Sequence, residues 1–245
     1  HLYLIHIKKI SMKHLIVVLV LWATCINLYG QGRLSGDLMM NVNFFNRDSA
    51  IGAAGNPLYD NFLSGGEGWL GLRYADSKGF AATVRFDGFQ NSNLLNPQAA
   101  YTAAGIGMFN LTKEFNKLEI SAGHIYDQIG TGILFRAYED RGLLIDNALF
   151  GLKLKYQLTD AIKIKGFTGQ IKRQFTRYNP IVKAVNIEGG YGVGKNGYMT
   201  TGVGALNRTM DQQSMDGVVS AINAKPVTER FVPTYNSYAA TLYNT

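Results

Sequence analysis

Along residues 34–44 the bulky apolar side chains fall on alternate positions. Leu34, Leu38, Met40, Val42 and Phe44 share one face, and Ser35, Asp37, Asn41 and Asn43 share the other. A period of two predicts a half-buried β-strand. The pattern returns at Leu70, Leu72 and Tyr74, opposite Gly71 and Arg73, and at Phe80, Ala82, Val84 and Phe86, opposite Thr83, Arg85 and Asp87. Further on, Phe150, Leu152, Leu154 and Tyr156 alternate with Gly151, Lys153, Lys155 and Gln157. Beyond Leu158-Thr159-Asp160, Ile162, Ile164 and Gly166 alternate with Lys163, Lys165 and Phe167.

The punctuation between these runs predicts how they connect. Ala75-Asp76-Ser77-Lys78-Gly79 and Leu158-Thr159-Asp160 are short enough for hairpins, and residues 112–117 are expected to turn between strands at 106–111 and 118–122. Longer Gly, Asn and Pro-rich connections stand at 48–66 and 90–100, and Gly189-Gly190-Tyr191-Gly192-Val193-Gly194-Lys195-Asn196 is expected to be a glycine-rich loop or tight turn. Residues 210–224 lose the alternation; Met215, Val218, Val219 and Ile222 recur at helical spacing and predict a short helix within a loop. Strands are expected to resume at 231–235 and 238–243.

Short turns on one side and long loops on the other are the layout of an antiparallel transmembrane β-barrel, and that all-β meander is the predicted fold. A soluble sandwich or a lipocalin-like barrel shares the alternation. Two features favour the membrane reading. The polar face is repeatedly ionised, and Phe and Tyr stand near several strand ends, as in an interfacial girdle. At 9–11 residues per spanning strand the chain has room for on the order of ten strands, so it is expected to be the N-terminal portion of a larger barrel.

Composition sharpens this. Of 245 residues, 47% are apolar and only 17% charged, below the roughly 25% typical of soluble domains. Residues 12–30 carry Lys13, an apolar run from Leu15 and a small residue at Gly30, the pattern of a cleaved signal peptide; an uncleaved N-terminal anchor is the alternative. Residues 1–11 read as upstream translated sequence, and 31–245 as the barrel. Removing Lys8, Lys9 and Lys13 takes the 24 basic residues to 21, against 17 acidic ones. The remaining lysines and arginines are scattered, which argues against nucleic-acid binding. Cys25 is the only cysteine and lies in the apolar run, with Trp22 where a lipoprotein signal would place a small aliphatic residue.

Five charges crowd into eleven residues at Arg136, Glu139, Asp140, Arg141 and Asp146. Arginine offers a planar fork to carboxylates, so the group can brace a loop inside the barrel. Alternatively it forms a charged constriction that selects solutes. With Arg73, Arg85 and Asp87 these residues are the candidate lining of the lumen, to which Asp37, Lys153 and Lys163 add. The run Gly130-Thr131-Gly132-Ile133-Leu134-Phe135-Arg136, followed by Tyr138-Glu139-Asp140-Arg141 and Ile145-Asp146-Asn147-Ala148, resembles a signature of uncharacterised outer-membrane barrel proteins of the Bacteroidota. That resemblance implies an outer-membrane location and porin-like or surface-assembly roles. Asp48-Ser49-Ala50 resembles the three-residue O-glycosylation acceptor of that group.

Other chemistry finds little footing. The glycine-rich stretch at 189–196 ends in Lys195-Asn196, without the Ser or Thr that a phosphate loop uses on magnesium. His124 is the only histidine after residue 30; Asp127 is near it, but no nucleophile accompanies them. No enzyme activity, metal site or cofactor is expected. The leading expectation is a passive outer-membrane channel in contact with lipid and small polar solutes. The alternative is a structural or interaction barrel serving surface-assembly or secretion proteins through loops at 48–66 and 189–226.

Overall fold

In a computed structural model, which describes residues 32–46, 50, 62–95, 99–194 and 197–245, the alternating runs become strands of one antiparallel sheet. They are β1 (Arg33–Phe44), β2 (Ser64–Ala75), β3 (Phe80–Ser92), β4 (Tyr101–Phe115) and β5 (Leu118–Ile125), then, past an inserted segment, β8 (Leu149–Gln157), β9 (Ile162–Arg173), β10 (Thr176–Val193), β11 (Gly197–Thr209) and β12 (Asn236–Asn244). The inserted segment, residues 126–148, carries two short strands, β6 (Glu139–Asp140) and β7 (Ile145–Asp146), joined by a 3-10 turn at Arg141–Leu143. Strand order follows chain order, a meander of ten strands with β1 and β12 at its edges. One α-helix, α1 (Gln212–Asn223), lies between β11 and β12. Residues 12–30, expected to be a signal peptide and containing Cys25, fall outside the described residues, as do Asp48 and Ser49.

The strands run longer than the sequence pattern indicates. Residues 112–115, expected in a turn, continue β4, and only Asn116 and Lys117 remain to make it; Asn116 takes a left-handed φ of 46°. Gly189 to Val193 finish β10 instead of forming a loop, paired residue for residue with Met199 to Thr201 and their neighbours on β11. Alternating small residues are compatible with a strand whose ladder bonds are complete, so glycine content alone misplaces that boundary. Residues 231–235 form no strand, and the long connection after β11 is 210–235 rather than 189–226. The helix at 210–224 is present, and Asp211 starts it by accepting a bond from the Ser214 amide at 3.3 Å. The β2–β3, β4–β5, β8–β9 and β10–β11 turns share one end of the sheet. The connections 45–63, 93–100, 126–148 and 210–235 leave from the other.

Burial is inverted relative to a water-soluble core. Leu34 is 72% exposed and Leu242 76%, while Arg85, Asp87 and Lys172 are buried. Leu70, Leu72, Phe86, Leu152 and Leu154 also show large exposed areas. The ionised face is concave, because the inserted segment touches strands at both edges of the sheet. Arg141 reaches the Met39 sulfur on β1 at 3.7 Å, and Ile129 packs against Gly204 on β11 so closely that a Cβ there would lie 2.3 Å from it. Gly130 lies against the ring of Tyr243 on β12. Ile129, Phe135 and Ala137 of the segment meet Leu149, Phe167, Val182 and Tyr243 from the sheet in the main apolar cluster.

Candidate site on the concave face

Three strands and the inserted segment build a buried ionic cluster. Arg85 and Asp87 are two residues apart on β3, so the strand's period of two points both side chains to the concave face. The guanidinium of Arg85 donates to Asp87 through Nε at 2.6 Å and Nη2 at 2.9 Å and to Asp146 Oδ2 through Nη2 at 3.2 Å, and its Nη1 forms an ion pair with Glu139 Oε1 at 2.6 Å. Asp146 is the hub. It also accepts the Tyr126 hydroxyl at 2.9 Å and the ammonium of Lys172, which bonds the Gly107 carbonyl of β4 as well. Arg141 completes the group at 3.3 Å from Glu139. Arg85, Arg141 and Lys172 thus face Asp87, Glu139 and Asp146, three charges against three.

Glu139 and Asp146 arrive together because they are cross-strand partners in the β6–β7 pair, which sends both side chains to one face. Asp140 is the partner of Ile145 and takes no part; its carboxylate accepts the Leu143 amide at 3.2 Å and caps the 3-10 turn. Arg136 stands apart too, exposed and stacked over Tyr138 at 4.8 Å. Arg73 and Asp37 lie on exposed parts of their strands. Asp37 shares a lateral row with Gly71 and Arg85, two strands from the cluster. The free space beside the cluster is about 10 Å³, room for roughly one water.

Beside it, Trp69, Phe89 and Leu144 form a second apolar cluster with Tyr101 and Phe175 against it. Glu67 is buried near these rings; one carboxylate oxygen accepts the Ser92 hydroxyl at 2.5 Å and the other has no hydrogen-bond partner. Glu67, Tyr126 and Lys172 are the members that sequence reasoning misses. Glu67 alone had a readable signal, since it shares the odd positions of β2 with Gly71 and Arg73, whereas Lys172 falls on the even positions of β9 with Ile162, Ile164 and Gly166.

His124 is held structurally. Its ring sits between Phe109 and Phe150, at 5.2 and 5.1 Å, and its Nδ1 lies 3.0 Å from the Phe109 amide nitrogen. Asp127 bonds Lys165 at 2.6 Å, and among the described residues no hydrogen bond joins it to His124. Among the described residues no group of His, Cys, Asp and Glu is arranged to hold a metal ion.

A second charged region lies toward the short-turn end. Lys153 lies 2.9 Å from Glu119 and 3.6 Å from Asp127, and Lys155 lies 3.5 Å from Glu119. With Lys163, Lys165, Asn186 and Glu188, the residues Lys153, Lys155 and Asp127 line a cavity of about 210 Å³.

Residues 10–241 match a family described as a family of unknown function, DUF6029. No curated protein matches the chain.

Proposed function

The chain belongs to the DUF6029 family, whose function is unknown, and we propose that it is a porin-like outer-membrane barrel protein. In this reading it is exported by a cleaved signal peptide and passes small polar solutes along its concave face. The observation that carries the reading is the inverted burial. A sheet that hides Arg85, Asp87 and Lys172 while presenting Leu34, Leu70, Leu152 and Leu242 fits hydrocarbon outside and water inside. Soluble proteins rarely expose apolar area on that scale. Tyr156 and Phe115, both exposed near the short-turn end, suit an interfacial belt.

The inserted segment narrows the interior, with the Arg85–Asp146 cluster as its brace. Solute then passes beside the cluster, whose charges already satisfy one another. Planar-bilayer recording from the full-length protein tests this: discrete conductance steps are expected, and a silent bilayer with correctly folded protein removes the channel.

The saturation of that same cluster favours one second reading, a structural or interaction barrel that supports surface assembly or secretion. A stable partner that co-purifies, and is lost when 210–235 is trimmed, would support it; a clean monomer would count against it.

A further inference from the structure

The two charged regions of the concave face differ in a way that bears on ligand chemistry. At Arg85 three cations meet three anions in a space of about 10 Å³, and nothing remains to be recognised. At the short-turn end Lys153, Lys155, Lys163 and Lys165 face three carboxylates, Glu119, Asp127 and Glu188, around a cavity of about 210 Å³. One positive charge is left over.

The hydrogen bonds show where it resides. Lys165 uses two donors, on Asp127 at 2.6 Å and on the Gln128 carbonyl at 2.8 Å. Lys153 bridges Glu119 and Asp127. Glu188 is the cross-strand neighbour of Lys163, yet it accepts from Asn186 at 3.3 Å and from the Tyr243 hydroxyl at 3.0 Å instead. Among the described residues Lys163 makes no ion pair, and Lys155 holds only Glu119. An ammonium offers three donors, so both lysines bring unused ones to the same cavity.

We infer that this cavity binds a small anion carrying carboxylate or phosphate groups, with Lys163 and Lys155 as its principal contacts. Passage of such anions rests on the channel reading; binding does not. A concave, low-dielectric wall concentrates the field of one unbalanced charge, which favours entry of anions over cations.

The test uses the full-length chain in detergent, titrated calorimetrically with citrate and with inorganic phosphate. Wild type is expected to bind at least one of them, and K155Q/K163Q to bind it at least tenfold more weakly. K225Q, which removes a lysine beside α1, is expected to leave affinity unchanged. Heat-modifiable gel mobility establishes that each variant is folded, and single K163Q serves if the double variant is not. No heat beyond dilution in wild type, or equal affinity in K163Q, would overturn the site. Reversal potentials in a KCl gradient separate the two proposals. Conductance without anion preference removes the selectivity but keeps the channel, and silent bilayers with citrate binding intact remove the channel but keep the site.

Discussion

Asp146 takes bonds from Arg85, Lys172 and Tyr126, so its charge holds β3, β9 and the inserted segment together. Removing one partner of a buried ionic group strands the others, at roughly 3–5 kcal/mol. Asp146→Asn and Arg85→Met are each expected to lower stability by about that much, read as an earlier urea midpoint for loss of the heat-modifiable band. Arg136→Gln, at an exposed stacked position, is expected to leave the midpoint within about 0.5 kcal/mol. Arg85 and Asp87 were legible in the sequence because strand parity alone places them. Arg136 and Asp140 lie near the cluster along the chain without joining it, since closeness in sequence does not say which way a side chain points, whereas Arg73 shares the parity of Glu67 and Trp69 but stands nearer the short-turn end of β2. The β6–β7 pairing that selects Glu139 and Asp146 over Asp140 leaves no alternation long enough to read.

At the scale of elements, the inserted segment is held by apolar contacts as well as charge. Phe135, from the Gly-Thr-Gly-Ile-Leu-Phe-Arg run, meets Phe167 at 4.9 Å, and Phe135→Ala is expected to cost roughly 3–5 kcal/mol. Gly204 matters for the opposite reason, since any side chain there collides with Ile129. Gly204→Val is expected to free the segment, giving new protease cuts within 126–148 and larger conductance steps. Helix α1 offers a pH test. The Ser214 hydroxyl and amide hold the Asp211 carboxyl below its ordinary value, so the cap contributes fully above the unfolded value near 4 and is lost as pH falls through the folded one. Amide exchange at Ser214 and Met215 is expected to quicken below that range in wild type and to be fast at all pH values in Asp211→Ala. The helix was legible from its spacing, whereas the ends of β4 and β10 were not, because polar and glycine residues fill strand positions whose backbone bonds are already satisfied.

For the whole molecule, the alternation reveals the meander and its two faces, but not that residues 126–148 lie within the curve of the sheet. Full-length protein is expected to fractionate with the outer membrane and to shift in mobility on boiling; recovery as a soluble periplasmic protein would show that the apolar face is buried against something other than lipid. Every pairing in the sheet except β5 with β8 joins strands consecutive in the chain, so the ladders close over short distances. The inserted segment supplies the distant meetings, Arg141 with Met39 and Gly130 with Tyr243, and it comes after five strands and before five. Loop closure of that length slows folding unless something gathers the ends. The segment is therefore expected to act as a mandrel during folding, the first half of the sheet wrapping it and the second half closing on a surface already shaped to receive it.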